Sequence, residues 1–474
     1  MITKYNNFLF IITLVITISF LIISLSQTLT RYNLNQQIAV SDRIFKNDEK
    51  VYPSNKFIEN KETTVSQYFP GMAFLISPIN HFLSNDKIKN YIYASLAIIS
   101  HLLFILILAK IHCGLSKSKL IFSFLSILIF SLLITKSYTF YSLELKPDTI
   151  AFTIGLWALN FFNKSKDIMS FKNTKIILSG CLFGLGIAFK QQYISFIGGI
   201  LIFNFISYNK HLLIFTISSF VILFSILLYF NNFEHFWFWN LETFKEDGFM
   251  SLNRYWYINK ILFFNFLLFF VIFINLSHEK IDKDKIIYFL KKFLSLIKNH
   301  YSWILVPAAL SCFLSGYKNG GNTSNTGLGL LLLFPIIFSI ASEIKIKWLK
   351  IILVFGILNI FPFVIKSSQN YKNFYVLKNN FQNIIITDND TLLYGSTFYT
   401  IVKNSKSTYR NDYWTNSQRN GIPLNISFIK SMEDLDPDYI LVESFLRDQF
   451  KIDFVNYDII VENNVGILAK KSNF

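Results

Sequence analysis

Long apolar runs separated by short polar breaks fill the chain as far as residue 366, after which it turns polar. The runs are 8–28, 91–111, 119–136, 148–163, 175–189, 191–207, 211–230, 260–276, 302–315, 327–342 and 349–366. A membrane-spanning helix needs about 20 mostly apolar residues. The pattern therefore predicts an α-helical polytopic membrane protein with about eleven transmembrane helices over 1–366. Residues 367–474 predict one small C-terminal α/β domain. NIIIT (383–387), YILVES (439–444) and YDIIVENNVGILAKK (457–471) read as strands, the last as a hairpin turning at Asn463-Asn464. EDLDPDY reads as a helix end and turn.

Composition supports a chain that dissolves in a bilayer: 52% hydrophobic against 16% charged residues, with mean hydropathy +0.41. The 53 Phe and 24 Tyr also fit an AT-rich coding sequence, so aromatic richness alone does not indicate a sugar site. The net charge of +16 implies no nucleic-acid partner, because much of the lysine falls in short loops. Basic loops near 110–119, 164–175, 277–300 and 343–350 fall on one side, which the positive-inside rule makes cytoplasmic. Segment 29–90, the loops near 137–147, 231–259 and 316–326, and the tail are then outside an inner (plasma) membrane. The first apolar run reads as a retained helix rather than a removed signal peptide. Segment 278–299 reads as a basic amphipathic helix on the anionic inner leaflet. Cys113, Cys181 and Cys312 are scattered, without metal-ligand spacing.

Candidate chemistry gathers at the outer ends of these runs. In SLELKPDTIAFTIGLWALNFF (142–162), Pro147 suits the first turn of a helix. Asp148 there meets the positive end of the helix dipole. An ionisable group at a membrane boundary is costly and usually functional. In the first outside loop Asp42, Asp48 and Glu49 are candidate carboxylates. Asp48 and Glu49, flanked by Lys46 and Lys50, read as part of a solvated loop, whereas Asp42 is favoured because it stands closer to the end of the first helix and to a possible amphipathic run. QYFPGMAFLISPI (67–79) predicts a tight turn and an apolar segment at the interface. In GLGIAFKQQYISFIGG (184–199), Lys190 suits a lipid phosphate, or it anchors the interface together with Tyr193. GYKNGGNTSNTG (316–327) offers backbone N–H groups and Lys318 to an anion, or is a plain turn. Arg254, beside Tyr255 and Trp256, could serve a sugar-phosphate.

Four of these stretches, in this order, carry a resemblance: the acidic first outside loop ending in QYFPGMAFLISPI, LELKPDTIAFTIGLWAL, LSGCLFGLGIAFKQQYI and YKNGGNTSNTGLGLLLLFP. Together they resemble the GT-C superfamily of membrane glycosyltransferases, in the branch of protein mannosyltransferases and aminoarabinose transferases (glycosyltransferase family 39-like). The resemblance implies transfer of a sugar from a polyprenyl-phosphate carrier to a lipid, glycan or protein acceptor on the outer face. It implies Asp42 as the base, Asp148 as a second catalytic acid, and Lys190, Lys318 and Arg254 as donor-phosphate ligands. A divalent metal can share the phosphate's charge, but no His/Asp/Glu spacing demands one. One departure stands out: where the family often has an acidic pair soon after the first helix, this chain has Asn33 and Asn35. Two rival classes are a transporter or flippase of a lipid-linked sugar, and an O-antigen polymerase or ligase. The first usually shows repeats and midplane breaks, and none is visible here. The second would place its large outside loop late among the helices.

Overall fold

The computed structural model describes residues 2–30, 32–45, 69–165, 172–190, 193–207, 209–229, 250–277, 299–317, 323–340, 346–407, 409–413, 424–450, 454 and 456–472. Its N-terminal part is helical: α1 (Ile2–Thr30), α2 (Tyr32–Phe45), α3 (Gly71–Phe82), α4 (Asp86–Ser116), α5 (Leu120–Leu133), α6 (Lys136–Ser142), α7 (Pro147–Ser165), α8 (Lys172–Leu185), α9 (Ile194–Ser207) and α10 (Lys210–Tyr229). Then follow α11 (Leu252–Ser277), α12 (His300–Tyr317), α13 (Thr323–Ile337) and α14 (Ile346–Gln382). Each of the eleven apolar runs falls on one of these helices. Among the described residues four are long and apolar enough to cross a membrane: α1, α4, α11 and α14. α5 and α6 make a fifth if counted as one span bent by 96°. The shorter apolar helices pack in pairs, α8 on α10 and α7, and α9 and α13 on α12. Apolar side chains on the outer faces of α9, α10 and α11, such as Phe205, Leu228 and Phe264, are exposed, as lipid-facing positions are.

Local chemistry sets the helix ends. The side chain of Asn85 caps α4, accepting from the backbone N–H groups of Lys87 and Ile88 at 2.9 and 3.2 Å. Lys117 ends that helix in the left-handed conformation, φ 58°. Pro147 and Asp148 open α7, as the sequence predicts. The predicted basic helix at 278–299 lies almost wholly outside the described residues.

α14 is the main surprise. Its apolar run was expected to end at 366, yet the helix continues to Gln382. Its last turns bury Phe374, Leu377 and Phe381, a stripe at helical spacing that packs on the C-terminal sheet. One continuous helix thus joins the bundle to the C-terminal domain.

That domain is α/β. Its strands are β1 (Thr391–Tyr394), β2 (Tyr409–Asp412), β3 (Tyr439–Glu443), β4 (Tyr457–Glu462) and β5 (Gly466–Lys471). Helices α15 (Tyr399–Val402), α16 (Leu424–Leu435) and α17 (Phe445–Phe450) lie between them. The sheet order is β2-β1-β3-β5-β4, with β2, β1 and β3 parallel and β5 and β4 antiparallel. The hairpin turns at Asn463-Asn464 as predicted, with the Asn463 side chain accepting from the N–H groups of Val465 and Gly466 at 2.9 and 3.2 Å. EDLDPDY closes α16, and Asp436 stands at φ 44°. NIIIT is not a strand. The chain is irregular there after α14 ends, and the first strand is Thr391–Tyr394 instead.

The carboxyl ends of the parallel strands, where open α/β sheets usually bind ligands, carry Ser396, Asp412 and Glu443. Ser396 Oγ donates to Asp412 Oδ2 at 2.5 Å, and the Tyr413 hydroxyl donates to Glu443. Burial, with both carboxylates beside it, pushes the Tyr413 phenol well above its ordinary pKa. The short 3₁₀ turn Ser396–Phe398 leads from this edge onto α2.

Candidate active site

α2 is polar in sequence but buried in place: every residue from Asn33 to Ser41 is buried. Buried polar groups need partners, and those of α2 come from three directions. Near its start, Asn33 Nδ2 donates to Glu144 Oε1 at 2.9 Å. Asn35 Oδ1 accepts from the backbone N–H of Thr400 at 3.4 Å. The two asparagines that depart from the family pattern are thus structural links, one to the α6–α7 turn and one to the C-terminal domain.

Asp42 stands near the other end of α2, nine residues on, or about 14 Å along the helix axis. Its carboxylate accepts from Asn80 of α3 and from the Tyr399 hydroxyl of α15 at 3.1 Å. Lys403 Nζ lies 3.6 Å away. Lys89, in the first turn of α4, is close enough for its charge to interact with both Asp42 and Lys403. The Asp42 side chain keeps 21% exposure. It is a carboxylate held from several sides that remains partly exposed.

A second cluster occupies the α6–α7 turn. Glu144, Lys146 and Asp148 are buried within five residues of one another. Lys146 Nζ lies 3.7 Å from Glu144 Oε2 and 3.2 Å above the Tyr141 ring. Asp148 Oδ1 lies 3.4 Å from Lys190 Nζ, with 7% and 8% of the two side chains exposed. The charges of Lys146 and Lys190 interact, and Cys312 of α12 is beside the pair. Between Glu144 and Lys146 the backbone of Leu145 takes φ 66°. For a residue with a Cβ that costs about 1–2 kcal/mol, and such outliers gather at functional sites.

The four motifs converge here. Lys190, in the break between α8 and α9, meets Asp148. Gly71, at the start of α3, lies so close to the turn before Lys190 that a Cβ would sit 2.5 Å from the Ala188 carbonyl oxygen. Tyr193 is buried against Gly155 of α7 and Gly186. Lys190 and Tyr193 therefore point inward and do not anchor an interface. Ser137 Oγ donates to the Thr323 carbonyl at 3.4 Å, joining the start of α13 to α6. The Tyr138 hydroxyl and Thr149 Oγ1 are 2.9 Å apart, tying α6 to α7.

Of the sequence candidates, Asp148 and Lys190 form one pair, while Asp42 belongs to a different cluster. Arg254 is exposed in the first turn of α11 and joins neither cluster among the described contacts. Lys318, Asp48 and Glu49 lie outside the described residues. Sequence reasoning passed over Glu144 and Lys146, although both stand inside LELKPD. It also missed Asn80, Lys89, Tyr399 and Lys403. No group of three or more His, Cys, Asp or Glu that could hold a metal ion occurs among the described residues.

No protein-family model matches the chain, and no curated protein matches it. Among solved structures, it is similar to ArnT from Cupriavidus metallidurans, determined bound to undecaprenyl phosphate. The TM-score is 0.53 at 9% identity, over 96% of this chain and 97% of that one. A second similar structure is the Archaeoglobus fulgidus oligosaccharyltransferase, tethered to an acceptor peptide. The TM-score is 0.46 at 11% identity, over 91% of this chain and 69% of that one. The likeness to ArnT extends over nearly the whole of both chains, and the fold is that of the GT-C membrane glycosyltransferases.

Proposed function

We propose that this GT-C-fold chain is a membrane glycosyltransferase that moves a sugar from a polyprenyl-phosphate carrier to a lipid, glycan or protein acceptor at the outer face of the membrane. The observation that carries the reading is the setting of Asp42: a partly exposed carboxylate gripped by side chains from α3 and from the C-terminal domain. The carrier lipid is proposed by analogy with the undecaprenyl phosphate bound to ArnT.

In this reading the acceptor hydroxyl attacks the anomeric carbon of the donor sugar. Its proton passes to Asp42 as the new oxygen–carbon bond forms. The bond from the anomeric carbon to the phosphate oxygen breaks on the opposite face, with inversion, and polyprenyl phosphate leaves with the electron pair. The leaving phosphate needs fixed positive charge, which is worth more in a partly dehydrated site than in water. Lys190 is the proposed ligand and Lys146 the supporting charge. Asp148 is then a positioning group that keeps Lys190 in place, and its proposed role as a second catalytic acid gives way to that one. Lys318 and Arg254 remain proposed phosphate ligands only on the strength of the resemblance. A lysine ligand supplies charge without a metal, and a divalent ion can add to it. Binding of undecaprenyl phosphate to wild type and to Lys190→Gln tests the phosphate assignment. Weaker binding in the variant supports it, and equal binding removes it.

A further inference from the structure

A cleft of about 860 Å³ opens between the first turns of α4 and the last turns of α14. Three tyrosines line it: Tyr91, Tyr371 and Tyr375. The rings of Tyr371 and Tyr375 are 5.0 Å apart. Lys87, Lys372 and Lys378 add positive charge against Asp86 alone, which Lys378 engages at 2.6 Å. Asn85, Asn379 and Gln382 contribute amides.

The cleft leads toward the Asp42 cluster. A small adjoining cavity shares Asp86, Tyr375 and Lys378 with it and reaches Asn80, Lys89 and Lys403. Asn80 and Lys403 are two of the groups that touch Asp42. The cleft thus adjoins the side chains that hold the proposed base. The walls come from both parts of the protein, since α4 belongs to the bundle and this end of α14 carries the C-terminal sheet.

We propose that this cleft binds the acceptor, and that the acceptor is a glycan bearing carboxylate or phosphate groups. Tyrosine offers an apolar ring face for the C–H surface of a sugar and a polar edge for its hydroxyls. Amides bond hydroxyls in either sense. The three lysines favour a negatively charged chain. The wide opening suits a polymer end rather than an enclosed small molecule. The proposal rests on the glycosyltransferase reading above.

The test uses full-length protein in phosphatidylcholine nanodiscs. The probe is a fluorescent tetrasaccharide of alternating glucuronate and N-acetylglucosamine, with neutral maltotetraose for comparison. Undecaprenyl phosphate binding is measured in parallel. Saturable binding of the acidic tetrasaccharide, stronger than that of maltotetraose, is expected. Lys372→Glu and Tyr375→Ala should each weaken it about tenfold while leaving undecaprenyl phosphate binding intact, which also shows that the variants are folded. Absence of saturable binding, or variants that bind as wild type, would overturn the proposal. Binding abolished when phosphatidylglycerol replaces phosphatidylcholine would assign the cleft to a lipid headgroup and overturn it as well. Failure of wild type to bind undecaprenyl phosphate would strike the glycosyltransferase reading and not the cleft.

Discussion

Tyr399, in the C-terminal domain, donates its hydroxyl to the carboxylate of Asp42 on α2 at 3.1 Å. The C-terminal domain therefore contributes to the Asp42 cluster of the candidate site. Lys403, one turn further on, completes the grip at 3.6 Å. A hydrogen bond to a charged group is worth about 1.5–3 kcal/mol, enough to select one rotamer of a partly exposed side chain.

Tyr399→Phe should lower the transfer rate about tenfold through loss of that positioning. The apparent affinity for the carrier lipid should not change. Steady-state kinetics with varied donor checks this. A change confined to donor affinity would place Tyr399 elsewhere in the mechanism.

Asp148 and Lys190 form a buried pair, so removing one partner leaves an uncompensated charge. Asp148→Asn alone should destabilise the protein by about 3–5 kcal/mol. The double variant Asp148→Asn/Lys190→Gln should recover much of that loss. Thermal unfolding in detergent gives the comparison. Additive losses in the double variant would mean that the two residues do not act as a pair.

Gly71→Ala drives a Cβ against the Ala188 carbonyl. Either α3 or the turn that carries Lys190 must shift. A cost of about 1–3 kcal/mol is expected, with weaker undecaprenyl phosphate binding. A neutral substitution would show that the close approach is not maintained.

We propose, from the positive-inside rule, that the basic loops face the cytoplasm and the C-terminal domain lies outside. An alkaline phosphatase fused to the C-terminus should then be active in growing cells. An inactive fusion with a fluorescent cytoplasmic counterpart would reverse the orientation.

Much of the fold was legible because membrane insertion writes itself as composition. A helix that must satisfy its own backbone in lipid appears as an uninterrupted apolar run, and all eleven runs became helices. The hairpin was legible from a local turn signal. What stayed hidden depended on distance. Nothing in GLGIAFKQQYI says that Lys190 meets Asp148, and nothing near Asp42 announces Asn80, Tyr399 or Lys403. The extension of α14 did leave a trace, since Phe374, Leu377 and Phe381 repeat at helical spacing beyond the apolar run. NIIIT misled because a short β-branched run carries strand propensity whether or not a neighbouring strand is in reach. Asn33 and Asn35 read only as departures from an acidic pattern, because their partners, Glu144 and the backbone of Thr400, lie more than a hundred residues away.

The most direct test of the account is transfer from polyprenyl-phosphate sugars by purified protein in detergent, offered a panel of glycan, lipid and peptide acceptors. Wild type is compared with Asp42→Asn. The account predicts carrier-dependent transfer by wild type that falls by about a thousandfold in the variant, as loss of a general base does. Intact donor with every acceptor, or equal rates for wild type and variant, would contradict it.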